Sequence, residues 1–342
     1  MSSPIMPATS SRPGSVAVII VNWNGMLQLP ACLLALSRQE YLDVEIIVVD
    51  NGSQDDSVAF IAENYPTVRI LQNRTNTGFA AACNQGIQAT GAEFIALLNN
   101  DTVVHPGWVG AMVARMADPG VGMCACKLLL MTHGSQMIDA LGVAVDRLGY
   151  AWGIAGGQPD APALLPSSEQ LLGPSGGAGL YRRRMLAELG GFDADFFAYL
   201  EDVDLAWRAQ WAGWRCAYAP DAIVYHLHSA TSTRIPGLKS RLLARNRIWM
   251  VAKNYPAGAL LRYLPLFIVF EIGALLYVAR QRRLRSSLRG RLEALVGLPA
   301  MLARRRQTPH RISSTQMLAR LRPVQLPRAM LKRYSFVAQK QR

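Results

Sequence analysis

The sequence predicts an α/β fold, a mostly parallel sheet with helices on both faces. Three observations predict it. Apolar, β-branched runs alternate with helical patterns over residues 16–126, an order that builds parallel strands joined by crossover helices. The runs are apolar throughout, as expected of strands buried on both faces. Several of them end in Asn or Asp, at the edge where open α/β sheets bind ligands.

The elements follow in order. Val16-Ala-Val-Ile-Ile-Val21 is the first buried strand, broken by Asn22-Trp-Asn-Gly25. Leu29, Leu33, Leu34 and Leu36 mark a helix. Residues 45–50 form the second strand, Asn51-Gly-Ser53 turns the chain, and Ser53 or Asp55 can cap a helix reaching Asn64. A short strand spans residues 68–71, an Ala-rich helix residues 78–89, and Gly91 stops it. The fourth strand, residues 93–98, ends at Asn99-Asn-Asp101. A helix from Gly107 leads to the fifth strand, residues 121–126. Residues 127–170, rich in Gly, Pro and Ala, read as a long loop over the sheet edge. Order returns at residues 173–181, and a helix over residues 182–189 is stopped by Gly190-Gly191.

Composition narrows the function classes. With 342 residues and 51% hydrophobic content the chain is not a disordered protein. Its net charge of +13 is concentrated at one end: residues 280–342 carry 17 Lys and Arg against the single acid Glu293. The remainder is slightly acidic. Such a basic tail suits an anionic surface. The five cysteines are odd in number and sit mostly in apolar runs, which points to reduced thiols. Cys124 and Cys126 have no second ligand pair for zinc. Residues 1–15 read as a disordered leader without the apolar stretch of a signal peptide.

The chemistry concentrates in residues 192–228. Glu201, Asp202 and Asp204 follow the aromatics Phe196, Phe197 and Tyr199 and open a helix running through Trp211. Acids favour a first turn through the helix dipole, but a carboxylate beside apolar walls also suits a general base. Residues 222–226 form a strand ending in His226, with His228 just beyond. A neutral imidazole can join a carboxylate at a divalent metal.

An ordered set of motifs carries a family resemblance. The set is Val21-Asn-Trp-Asn-Gly25, Val48-Val-Asp-Asn-Gly-Ser53, Asn76-Thr-Gly-Phe-Ala80 with Asn84, Leu97-Leu-Asn-Asn-Asp-Thr102, Gly177-Ala-Gly-Leu-Tyr181, Gly190-Gly-Phe-Asp193 and Glu201-Asp-Val-Asp-Leu205, closed by His226. Over residues 16–232 the chain resembles the inverting family 2 glycosyltransferases of the GT-A (Rossmann-like) fold, in their bacterial rhamnosyltransferase-like branch. The resemblance implies a nucleotide-diphosphate sugar as donor and Mg2+ or Mn2+ as cofactor. It implies that Asp50 reads the base or ribose and that Asn22 and Asn24 meet the base. Gly78 and Asn84 would line the nucleotide pocket, with Asn99 and Asn100 facing the donor. Asp101 and His226 would hold the metal, and Asp202 would be the base, with Glu201 beside it as the alternative. Where the family's metal motif reads Asp-x-Asp, this chain has Asn99-Asn100-Asp101. The ligand set is thereby reduced to Asp101 and His226, with diphosphate and water supplying further oxygens.

The expected organisation is a nucleotide-sugar half over residues 16–126, an acceptor-binding and catalytic half over 127–245, and a helical, basic, membrane-associating region over 246–342. Within the last, residues 257–279 are apolar but interrupted by Arg262, Pro265 and Glu271. Charge in a bilayer core is costly, so an interfacial or re-entrant element is preferred to a span. The arginines of residues 280–291 and 304–306 suit an anionic cytoplasmic leaflet at the plasma membrane. The expected acceptor is a glycan or a lipid-linked sugar. Nucleic acid is not an expected partner, because the basic stretch lacks aromatic interleaving and a recognisable module. Two rivals remain. A nucleotidyltransferase would need a Gly-rich basic phosphate loop, and Asn22-Trp-Asn-Gly25 has neither Lys nor Arg. A non-catalytic scaffold subunit has no need of Asp101, Asp202 and His226.

Overall fold

The computed structural model describes residues 12–130, 137–226 and 235–325. Its first half alternates as expected: β1 (Val16–Asn22), α1 (Leu29–Leu36), β2 (Val44–Asp50), α2 (Ser57–Asn64), β3 (Arg69–Gln72), α3 (Phe79–Gln88) and β4 (Phe94–Asn99). The parallel order is β3-β2-β1-β4. Val16, Ala17, Val18, Ile19 and Ile20 are all buried, because helices cover both sheet faces. The start of β1 is anchored too. Ser15 is buried and Gly14 donates its N–H to Glu93, so the expected leader ends short of residue 14.

The second half inserts antiparallel strands. β5 (Thr102–Val104), α4 (Trp108–Ala114) and β6 (Val121–Leu130) are followed by β7 (Met137–Ala140), β8 (Val143–Val145), β9 (Ala151–Gly153), β10 (Ala178–Arg182), α5 (Arg183–Leu189), α6 (Glu201–Trp211) and β11 (Arg215–His226). The sheet continues from β4 through β10, β6 and β11 to β5. β10 runs antiparallel to both neighbours, while β11 is parallel to β6. The stretch over residues 127–170 corrects the expectation of a loop. It extends β6, adds β7 to its edge and forms the β8–β9 hairpin. These strands of three or four residues are too short to carry a visible periodicity.

Four helices follow among the described residues: α7 (Leu238–Asn254), α8 (Ala257–Arg280), α9 (Leu284–Arg305) and α10 (Ser314–Arg320). The expected divisions at residues 126 and 245 fall inside β6 and α7 respectively. α7 packs on α9 at short range: a Cβ at Gly290 would stand 2.1 Å from the Arg241 carbonyl oxygen, so only glycine fits there. Ion pairs, most of them buried, fix these helices to α6 and the loop before it. The carboxylate of Asp204 on α6 is fully buried and accepts from Arg208 at 2.8 Å, Lys253 at 2.9 Å and Asn254 at 2.8 Å. Lys253 also reaches Asp193 at 2.7 Å, and Arg304 of α9 reaches Asp193 at 2.5 Å and Asp195 at 2.6 Å. Burial raises the pKa of Asp204 and the two cations override it, holding the carboxyl down at about 2.

Candidate active site

The carboxyl ends of β1, β2 and β4 converge, as their polar residues suggested. Asn22 is fully buried and joins them. Its amide donates to Asp50 at 3.1 Å and to Ser57 at 2.9 Å, and its carbonyl accepts from Asn100 at 2.8 Å. Gly25 makes this junction possible, since a Cβ there would lie 2.1 Å from the Asn22 side-chain oxygen. Asp50 is buried beneath the junction, its second oxygen accepting the Ser53 N–H at 3.0 Å. Asn24 takes a positive φ and accepts the Gln54 N–H at 2.6 Å. These three residues build the floor rather than the wall.

Above that floor lies a cleft of about 430 Å3, within the range of small-molecule sites. Val21, Trp23, Asn51, Asn76, Asn99, Asn100 and Asp101 form one side; Gly176, Phe197, Tyr199, Glu201, Asp202 and His226 surround the middle; Ile235, Leu238, Lys239 and Leu243 form the far side. The expected acids and His226 are therefore brought together. Two expectations are corrected. Asn84 does not line the cleft. It is buried on α3, donating to the Phe192 carbonyl at 2.7 Å and accepting the Phe192 N–H at 2.9 Å. Gly78 is covered as well: a Cβ there would lie 2.5 Å from the Phe197 ring, and its φ of +90° suits glycine.

Asp202 and Glu201 occupy the first turn of α6 in unlike settings. Asp202 accepts two backbone N–H groups, from Gly176 at 2.7 Å and Val203 at 2.8 Å. Burial raises its pKa, and those N–H groups act against the rise. Glu201 is buried, and its Oε2 has no hydrogen-bond partner among the described residues. Burial, followed by the Asp202 charge, pushes it up to about 8. At neutral pH Glu201 thus keeps its proton, while the helix dipole and two N–H donors favour the charged form of Asp202. Glu201→Gln is accordingly expected to retain most activity. The unfolded Glu201 ionises from about 4.5, whereas the folded one holds its proton to about 8, so the wild type loses stability as pH rises between those values. The Gln variant should lose less. Melting temperatures at pH 5 and pH 8 check this, and a Gln variant without turnover would return Glu201 to the base role.

The loop before α6 was not legible in the sequence. Phe197, Tyr199 and Leu200 all have φ between 64° and 69°, an uncommon state for bulky residues. Asn246 of α7 holds them, donating to the carbonyls of Phe196 at 2.9 Å, Ala198 at 2.9 Å and Tyr199 at 2.7 Å. Strain stored beside Asp202 is thus fixed by a residue more than forty positions downstream.

His226 ends β11 between two acids. Nδ1 is 2.8 Å from Asp139, and Nε2 is 3.2 Å from Asp101. Burial alone would lower its pKa; hydrogen bonds and charge from both carboxylates override that and raise it to about 9. Asp139 lies on β7, in the stretch read as loop, and sequence reasoning did not single it out. Its place on the second ring nitrogen is the carboxylate–histidine arrangement that fixes a ligand imidazole. No cluster of three or more His, Cys, Asp or Glu that could hold a metal occurs among the described residues. The chain thus offers Asp101 and His226 as donors, a small set that suits a hard cation shared with substrate phosphates. His228 lies outside the described residues. All five cysteines are free and buried.

Comparison with known proteins places this geometry. The family model described as glycosyltransferase like family 2 matches residues 13–248. A pre-mycofactocin glycosyltransferase of Mycobacterium tuberculosis is 31% identical over 235 residues, covering 66% of this chain and 45% of that protein. The chain thus spans less than half the length of that relative. The N-acetylglucosaminyl-diphospho-decaprenol L-rhamnosyltransferase of the same organism is 30% identical over 242 residues, covering 63% of this chain and 76% of that protein. Among solved structures, a mannosyltransferase of Pyrobaculum calidifontis in complex with GDP-mannose and Mn2+ aligns with 99% of this chain and 88% of its own at a TM-score of 0.54 and 19% identity. GalNAc-T7 with UDP, GalNAc and Mn2+ aligns with 70% of this chain and 48% of its own at 0.57 and 17% identity. These likenesses concern the fold, which is that of the GT-A enzymes.

Proposed function

The chain belongs to glycosyltransferase family 2, and on that premise we propose that it is an inverting transferase moving a sugar from a nucleotide-diphosphate donor to an acceptor hydroxyl. The observation that carries the reading is the cleft itself, in which a backbone-held carboxylate, Asp202, shares one space with Asp101 and His226. The donor lies along the β1 and β4 ends, between Trp23 and Asn99–Asp101. Asp101 and His226 would hold Mg2+ or Mn2+, and that ion would supply charge neutralisation on the departing nucleotide diphosphate. Asp202 takes the proton of the acceptor hydroxyl as its oxygen attacks the anomeric carbon from the face opposite the nucleotide. The sugar–phosphate bond breaks with its electron pair leaving on the diphosphate, so a single displacement inverts the centre. Rhamnose is the first sugar to try, by likeness to the mycobacterial rhamnosyltransferase. Release of nucleoside diphosphate from a panel of UDP-, GDP- and dTDP-sugars, dependent on an added acceptor, tests the reading. Release from none of them, across glycan and lipid-linked acceptors, would remove it.

The same reading puts the protein at the cytoplasmic face of the plasma membrane, in cell-envelope polysaccharide synthesis. α8 is long and apolar enough to cross a membrane, but its charge favours a surface position. Glu271, near the middle of the helix, is turned to the body, pairing with Arg247 of α7 and with Arg291 of α9 at 2.6 Å. Phe267 packs on Tyr255 at 5.5 Å between ring centroids. Leu261, Ile268, Val269, Ile272 and Leu276 face outward, and the arginines of residues 280–291 follow. An apolar face rimmed by arginine lies in an anionic interface. Ile268→Glu with Val269→Glu is expected to abolish sedimentation with phosphatidylglycerol vesicles while the fold melts normally. Retained binding would reject α8 as the attachment. Resistance of the wild type to carbonate extraction would instead favour a span.

A further inference from the structure

The two sides of the cleft differ in chemistry. On the donor side stand amides, Trp23 and Asp101; on the far side the start of α7 and the residues before it give Ile235, Leu238 and Leu243 with one ammonium, Lys239. Of the three lysines among the described residues, Lys127 and Lys253 are bound to carboxylates. Lys239 makes no hydrogen bond or ion pair among the described residues; its Nζ lies 5.8 Å from the Tyr199 ring centroid, three positions before Asp202. Burial and then the charge of Arg283 lower its pKa, with Asp139 acting weakly the other way. The start of α7 touches the start of α9, where a Cβ on Gly237 would meet the Ser286 hydroxyl at 2.3 Å. The arginine-rich turn between α8 and α9 therefore stands beside this side of the cleft.

Resting on the glycosyl-transfer reading, we propose that Lys239, with Arg283 beside it, binds a phosphate of the acceptor, so that the acceptor is a sugar carried on a lipid phosphate or diphosphate. Lys239 has no carboxylate bonded to it among the described residues and feels the like charge of Arg283, and an anion placed at the two cations relieves this repulsion with charge-assisted hydrogen bonds. The apolar neighbours Ile235, Leu238 and Leu243 receive the first carbons of the lipid chain. The outward face of α8 keeps the remainder in the bilayer. The donor's own diphosphate belongs at Asp101 and His226, at the ends of β4 and β11.

Farnesyl diphosphate is the probe, farnesol its uncharged control, and calorimetric titration the readout, with the donor pocket first saturated by Mn2+ and UDP, GDP or dTDP. The wild type is expected to bind farnesyl diphosphate well above farnesol. Lys239→Gln should weaken it by about tenfold or more, as loss of a charge-assisted contact implies, and Lys239→Arg should retain it. Nucleotide affinity should stay unchanged in both variants. Equal binding of the probe by Lys239→Gln and wild type overturns the proposal, as does a wild type that does not prefer the diphosphate to farnesol. Parallel loss of nucleotide affinity overturns it too, by assigning Lys239 to the donor. A wild type that binds none of the three nucleotides counts against glycosyl transfer instead, and the same probe titration, run with metal omitted, still judges Lys239.

Discussion

Asp202→Asn is expected to lower turnover by about 100-fold or more, the range lost when a positioned general base is removed. The amide is nearly the same size, and one oxygen still accepts a backbone N–H, so the first turn of α6 persists. What disappears is the ability to take a proton. Donor affinity should therefore stay close to that of the wild type, because on the proposed reading the nucleotide would sit against β1 and β4 and not on α6. The pH profile adds a second signature. The Asp202 pKa lies above the ordinary 3.8, so wild-type turnover should fall as pH drops through that raised value, and the variant should lack this limb. Steady-state rates from pH 4 to pH 8, with nucleotide titrations beside them, make the measurement. Near-normal turnover in Asp202→Asn would remove the residue from the role.

Asp101→Ala should abolish the dependence of donor binding on divalent metal, weakening the nucleotide by about 100-fold at saturating Mn2+, the upper end of the 10–100-fold typical of outer partners. Asp101 would supply the only carboxylate of the two-donor set, and His226 alone is a poor ligand for Mg2+. A second effect does not involve metal. His226 is raised from 6.5 to about 9 by Asp101 and Asp139. The stability drawn from that pairing is fully present below pH 6.5 and is lost as pH rises through 9. Without Asp101 the rise shrinks, so the melting temperature of the variant should fall less between pH 6.5 and 9. Metal-dependent donor binding that survives the substitution would refute the assignment.

The parallel half of the sheet was readable because β1, β2 and β4 are continuous apolar runs with polar ends. Nothing local in residues 178–182 says that this strand pairs between β4 and β6 and runs against both, since pairing partners are non-local. β7, β8 and β9 were read as loop for want of length, and Asp139 was overlooked with them. The acids at the start of α6 were legible as a group but not in their division. Both Asp202 and Glu201 line the cleft, but backbone N–H groups hold Asp202, burial and the Asp202 charge keep the proton on Glu201, and Asp204 is consumed by Lys253, Arg208 and Asn254. Burial makes that division, and burial is set in part by α7, which the sequence reading divided at residue 245 between two regions. Asn84 misled for the same reason: its family position was clear, but its bonds to Phe192 lie 108 residues away.

The charge cluster of Asp193, Asp204, Lys253 and Arg304 makes the C-terminal helices a mounting for the start of α6 and not a detachable tail. Cutting the chain at residue 245 would leave Asp204 in the interior without Lys253 and Asn254, and the strained turn before Asp202 without Asn246. A version trimmed there would therefore lose, together with its C-terminal helices, the contacts that aim Asp202. On the proposed reading, selection acting on how the protein sits at a lipid surface would act, through the same side chains, on where Asp202 points.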